Sequence, residues 1–224
     1  MRILIASLSL VLLVAAAPAP DPLLEKVIAG ARAVSPATTS FERTARTTSK
    51  DEKGATETRV RVDRWDGAQL MPVSIDGKPP TPEQIAEIKK AAAGRPVPGY
   101  HRVADFLKNG AVRVPDPQGR TVYRITGLPK GTVNIGKDIS ANLVGEAVVD
   151  TSGPQPYVSR LRVYLPKPLS FFMVAKLDAY EQINEYRLGP SGKPALFKAL
   201  QAMSGAQFGK SGSTRTEASY NALR

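Results

Sequence analysis

Few residues in this chain could carry out covalent chemistry, and their spacing argues against most of it. There is one histidine, His101, and no cysteine. A Cys–His dyad is excluded, and a zinc site of the usual nitrogen and sulfur ligands has almost nothing to draw on. His101 stands in segment 97–114, which reads as a loop with a short apolar cluster, Val103, Phe106 and Leu107, forming a helical turn or a lid. Gly209-Lys210-Ser211 imitates the end of a phosphate-binding loop, but that motif needs a glycine five residues before Gly209, where Ser204 stands. Val148 to Gly153 approaches the D-T-G pattern of aspartic proteases, yet an extra residue separates Asp150-Thr151 from Gly153 and no second copy exists. Residues 150–154 read as a turn between strands. There is no G-x-S-x-G elbow, and no pair of carboxylates is singled out for glycoside cleavage. The expectation is a protein that is not an enzyme and carries no cofactor.

Binding chemistry is the better lead, and it lies between residues 143 and 188. Three strand candidates follow one another there. In 157–165, Leu161, Val163 and Leu165 share one face while Arg160, Arg162 and Tyr164 share the other. In 171–179, one face carries Phe171, Met173, Ala175, Leu177 and Ala179, opposite Lys176 and Asp178. Successive side chains of a strand point to opposite faces, so these runs predict a sheet with one apolar and one wet side. Such a face either fills a core or lines an apolar hollow. Methionine and aromatic side chains suit a hollow because they adapt to irregular apolar shapes. The candidate lining is Leu161, Val163, Phe171, Met173 and Leu177, joined by Trp65 and Met71.

The N-terminus bears on the compartment. Met1-Arg2 precedes an apolar run over 3–14 and the small residues Ala15, Ala16 and Ala17. A membrane-spanning helix needs about 20 apolar residues, so this shorter run reads as a signal peptide. Proline is a poor residue after a cleaved bond, and Pro18 shifts the expected cut to Ala16. Residues 1–16 are thus the predicted signal peptide and 17–224 a single periplasmic domain. Without cysteine the chain is neither an acylated lipoprotein nor stapled by disulfides. Export also removes nucleic acid as the meaning of the net charge of +11. The basic residues are interleaved with acids: Arg43, Arg61 and Arg64 with Glu42 and Asp63, for example. They read as a solvated strand face, with an anionic membrane surface as a further partner.

The elements that must position these faces can be read in order. Asp21-Pro22 caps and opens a helix over 21–34, with Val27, Ile28, Ala31 and Val34 on its apolar stripe. Residues 39–49 and 57–65 make a hairpin, and 69–75 a third strand broken by Pro72. Thr81 and Gln84 form a capping box that starts a second helix. Strands are expected at 120–126 and 214–220; 180–188 reads as a continuation of the third central strand around a bend, and 195–203 as a strand with a helix as the alternative. The predicted class is mainly β (α+β): a strongly curved antiparallel sheet, an unclosed β-barrel, covered by two or more helices, of which the two amphipathic ones are the available cover.

An exported chain with this order of elements resembles the LolA/LolB-like superfamily of periplasmic lipoprotein carriers. The stretches carrying the likeness are 64–81 (RWDGAQLMPVSIDGKPPT), 146–188 (EAVVDTSGPQPYVSRLRVYLPKPLSFFMVAKLDAYEQINEYRL) and 203–223 (MSGAQFGKSGSTRTEASYNAL). The resemblance implies a half-barrel whose concave apolar face, covered by helices, binds lipid or the acyl chains of a lipidated partner. It departs from the family where Arg64 is followed by Trp65 rather than proline, so no ligand-gating arginine is carried over. A monomer is expected. The alternative is an envelope protein-interaction or sensory domain on the same scaffold, with a secreted hydrolase as a third reading.

Overall fold

The computed structural model describes residues 21–36, 40–92, 96–108, 110–171 and 175–223. The predicted signal peptide, residues 1–16, and Met173 lie outside the described residues. Among the described residues there are three α-helices: α1 (Pro22–Arg32), α2 (Pro82–Ala92) and α3 (Arg102–Leu107). The first strands are β1 (Phe41–Lys50), β2 (Thr56–Trp65), β3 (Leu70–Ile75), β4 (Val112–Val114), β5 (Thr121–Thr126) and β6 (Val144–Asp150). They are followed by β7 (Tyr157–Tyr164), β8 (Leu169–Phe171), β9 (Ala175–Leu188), β10 (Pro194–Gln207) and β11 (Lys210–Ala222).

All strands join one 11-stranded sheet in the order β3-β2-β1-β11-β10-β9-β7-β6-β5-β4, with β8 beside β9. Every pairing is antiparallel. The ends of the order, β3 and β4, do not meet, so the sheet is mainly β architecture left unclosed, as the sequence predicts. Two hairpins show how local chemistry sets the register. Asp51 closes the β1–β2 turn by accepting from the amides of Lys53 and Ala55 at 3.0 and 2.8 Å. The β10–β11 turn has only two residues, Phe208 and Gly209, both at positive φ (50° and 78°). That is the turn whose twist matches its strands. It also disposes of the apparent phosphate loop at Gly209-Lys210-Ser211.

The long pair β9–β10 slips register twice, between Leu196 and Lys198 and between Ser204 and Gly205. Such bulges bend a strand and raise its twist. Gly205 is fixed by the second one. A Cβ built on it would come within 2.2 Å of the Lys176 carbonyl oxygen and 3.2 Å of Leu177 Cα. Both neighbours are backbone and cannot rotate away. Gly205→Ala is expected to cost about 2 kcal/mol, read as a shift of the urea midpoint without a change in slope.

Three features of the sequence reading are corrected. Segment 171–179 is not one strand: β8 ends at Phe171, β9 begins at Ala175, and these two residues pair. Phe171 and Leu177 keep the predicted alternation across the change of strand, so period alone could not reveal it; among the described residues of that face only Ala179, exposed beyond the bulge, leaves the pattern. Pro72 does not break β3, which takes it at a register shift on the sheet's edge, where a missing N–H costs no ladder bond. The second predicted cover helix, α2, has its capping box, with Thr81 N donating to Gln84 Oε1 and Gln84 N to Thr81 Oγ1. Yet it buries no residue and packs along β3. Its stripe of Ile85, Ile88 and Ala92 is too narrow to hold it on the sheet. The cover is α1 with α3, from the segment that is least readable in the sequence.

Candidate ligand-binding face

The helix-covered face of the sheet has two unlike halves. Under α1 and α3 it is apolar and packed. Val27, Ile28 and Ala31 of α1 and Val103, Phe106 and Leu107 of α3 meet Tyr123, Ile125, Ala147, Val149, Leu161 and Val163 of β5, β6 and β7 in one buried cluster. The Asp21 carboxylate fixes where α1 begins. It accepts from Leu23 N at 2.9 Å and Leu24 N at 3.4 Å as N-cap, and from the Tyr123 hydroxyl at 2.7 Å. One side chain thus starts the helix and ties it to β5.

The Tyr123 hydrogen bond, helped by the cap bonds, holds the Asp21 carboxyl below its usual value, while burial opposes this. A carboxyl with a depressed folded pKa adds stability above its unfolded pKa and loses it as pH falls through the folded one. The stability gap between wild type and Asp21→Asn should therefore be full at neutral pH and close on acidification below about pH 4. Chemical denaturation at a series of pH values measures it.

Toward β1, β2 and β11 the same face turns polar. The register Tyr220↔Arg43↔Asp63 sets an ion pair across three strands. Asp63 is fully buried. Arg43 donates to its Oδ2 from Nε, at 3.0 Å, and from Nη2. Arg61 Nε lies 2.9 Å from Oδ1 and 3.0 Å from Oδ2, but only the second contact has hydrogen-bond geometry. Asp63 Oδ1 is thus the one buried side-chain oxygen without a hydrogen bond among the described residues. Beside this network Phe41, Trp65 and Tyr220 form a second, small apolar cluster, with the Phe41 and Tyr220 rings edge to face at 5.3 Å. The reading of Arg43, Arg61 and Asp63 as a solvated face is corrected. Asp63 shares the parity of Trp65, and that alternation was the available signal.

The predicted lining residues are brought together only in part. Leu161, Val163 and Leu177 lie in the main cluster, the first two with no exposure. Phe171 is half-buried at its margin, with the Lys137 ammonium 5.0 Å from its ring centre. Trp65 belongs to the second cluster, across the sheet, where its indole donates to the Pro36 carbonyl at 3.1 Å. Met71 pairs with Arg64 and so points to the opposite face from Trp65. It is removed from the lining. Met173 lies outside the described residues.

The other face of the sheet carries a groove of about 480 Å³ across β1, β11, β10, β9 and β7. Ile183 and Leu200 form its floor, among Arg46, Arg160, Lys198 and Glu185. These are alternating cross-strand charges on a solvated face, and they converge on no single point. His101 sits just before α3; burial first, and then Arg102, lowers its pKa, against Asp105. Among the described residues no group of three or more His, Cys, Asp or Glu is placed to hold a metal ion. No described helix is long and apolar enough to cross a membrane, which says nothing of strands. The chain matches no family model, no curated protein and no solved structure, so the geometry stands without a relative to lend it a function.

Proposed function

We propose that this is an envelope protein that holds a lipid, or the acyl chains of a lipidated partner, between the sheet and its helical cover, without catalysis. The observation that carries the reading is how the apolar face is roofed. Only α1, of 11 residues, and α3, of 6, cover it among the described residues. Helices this short have little stability of their own and depend on packing. Lifting them would bare a continuous apolar surface on β5, β6 and β7 of the kind that acyl chains occupy. With the helices down, Leu161 and Val163 fill a core; with a chain bound they would line its site. The resemblance to LolA/LolB-like carriers and the signal-like N-terminus support the same reading, and with it the periplasmic location.

The test is direct. Protein isolated without detergent from the bacterial envelope should carry lipid that native mass spectrometry detects and organic extraction removes. Stripped protein should take up a fluorescent fatty acid. Protein that is lipid-free as isolated and binds no probe overturns the proposal.

A further inference from the structure

Phe208 is the most exposed large hydrophobic side chain among the described residues, at 73%. It also has a backbone that phenylalanine avoids. Its φ of 50°, followed by 78° at Gly209, is the left-handed pair that favours Asn-Gly in a two-residue hairpin. Two unfavourable choices therefore coincide on one residue, and among the described residues neither is offset. Asparagine would suit the turn and the solvent better.

The position of the turn says what could offset them. β1 ends where Lys50 pairs with Ser213, while β11 continues back to Lys210. On that side the β10–β11 hairpin runs about 10 Å past the end of β1, while on its other side β9 pairs as far as Gln207. Phe208 stands at its tip. Lys210 follows the turn, and Lys50 and Lys53 belong to the neighbouring β1–β2 end, interleaved with Asp51 and Glu52. Lys137 lies over Phe171, which pairs with Ala175 opposite Gln207. The nearby acids are Asp51, Glu52, Asp178 and, beside Lys137, Asp138. The Asp51 carboxylate is engaged by turn amides, and Asp178 and Lys176 pair at 2.6 Å and cancel each other.

We infer that this hairpin end docks on an anionic lipid bilayer, with Phe208 entering the headgroup region and the lysines facing acidic headgroups. A projecting aromatic ring needs no shaped pocket in a bilayer, and ammonium groups at its base add attraction that salt weakens. The inference goes beyond lipid carriage and does not require it: docking uses the tip, and carriage the helix-covered face.

The experiment is vesicle co-sedimentation of wild type and Phe208→Asn on phosphatidylcholine vesicles with and without phosphatidylglycerol. Both proteins have the same N-terminus, so their difference reports the tip. Wild type should bind the anionic vesicles more tightly than the neutral ones and lose binding as salt rises. Phe208→Asn should bind about tenfold more weakly, and Lys210→Glu about fivefold or more. Because asparagine suits the turn, Phe208→Asn should melt no lower than wild type and take up the fatty-acid probe equally well. Wild type that ignores anionic vesicles, or binds neutral ones as tightly, overturns docking, as does Phe208→Asn binding like wild type. So does a dimer of wild type, lost in Phe208→Asn, in the absence of vesicle binding. A failure of probe uptake with intact vesicle binding would count against carriage alone.

Discussion

Changing Val27 and Ile28 together to aspartate should abolish cooperative unfolding, leaving a chain with no measurable native baseline in urea. Val27 is fully buried and Ile28 is 5% exposed, both in the main cluster. Losing two such aliphatic side chains removes about 1.5–3 kcal/mol each. Placing unpaired carboxylates in their positions costs several kcal/mol more. The sum is comparable with the whole stability of an ordinary domain, about 5–15 kcal/mol. Ala29→Asp, on the exposed side of the same helix, is the control and should cost only about 1 kcal/mol, the penalty of an aspartate in a helix's last turn. If the double variant unfolds like wild type, α1 does not roof the sheet and the carrier reading loses its basis.

Asp63→Ala should be the most damaging single change on the polar half of the face, at about 3 kcal/mol or more. Removing one partner of a buried pair leaves the other charge uncompensated. Here that charge is Arg43, whose side chain is 15% exposed, while Arg61 is more open at 36% and recovers water. The double variant Arg43→Met, Asp63→Leu removes both charges from the cluster of Phe41, Trp65 and Tyr220. It should be close to wild type or more stable, because the desolvation cost of the pair goes with it. Thermal denaturation of the single and double variants measures the coupling. A double variant as damaged as the single would show that the pair does more than satisfy itself.

How far the sequence reaches depends on which interactions decide each element. Caps and turns are local, so Asp21, the Thr81–Gln84 box and the β1–β2 hairpin are legible from a few residues. The alternation in 157–165 likewise placed Leu161 and Val163 on the covered face. What remained hidden depends on partners distant in sequence. Nothing near Asp63 announces that Arg43 will lie beside it, because the contact is made by strand pairing. The reversal between β8 and β9 keeps the parity of Phe171 and Leu177, and so leaves no trace in the period. Segment 97–114 looks irregular because α3 has only 6 residues, and its burial comes from α1 and the sheet. Met71 failed for a simpler reason: one step along β3 from Leu70 exchanges the faces.

The most direct test of the carrier reading combines binding with amide hydrogen exchange. Stripped protein is titrated with a fluorescent fatty acid, and exchange is followed in α1, α3 and β5–β7 before and after saturation. A chain entering beneath the helices must displace them from the Val27, Ile28, Val103 and Phe106 contacts, while the sheet keeps its ladder bonds. The account predicts saturable binding, with faster exchange in α1 and α3 and unchanged protection in β5–β7. Binding with no change in either helix, or no binding at all, would contradict it.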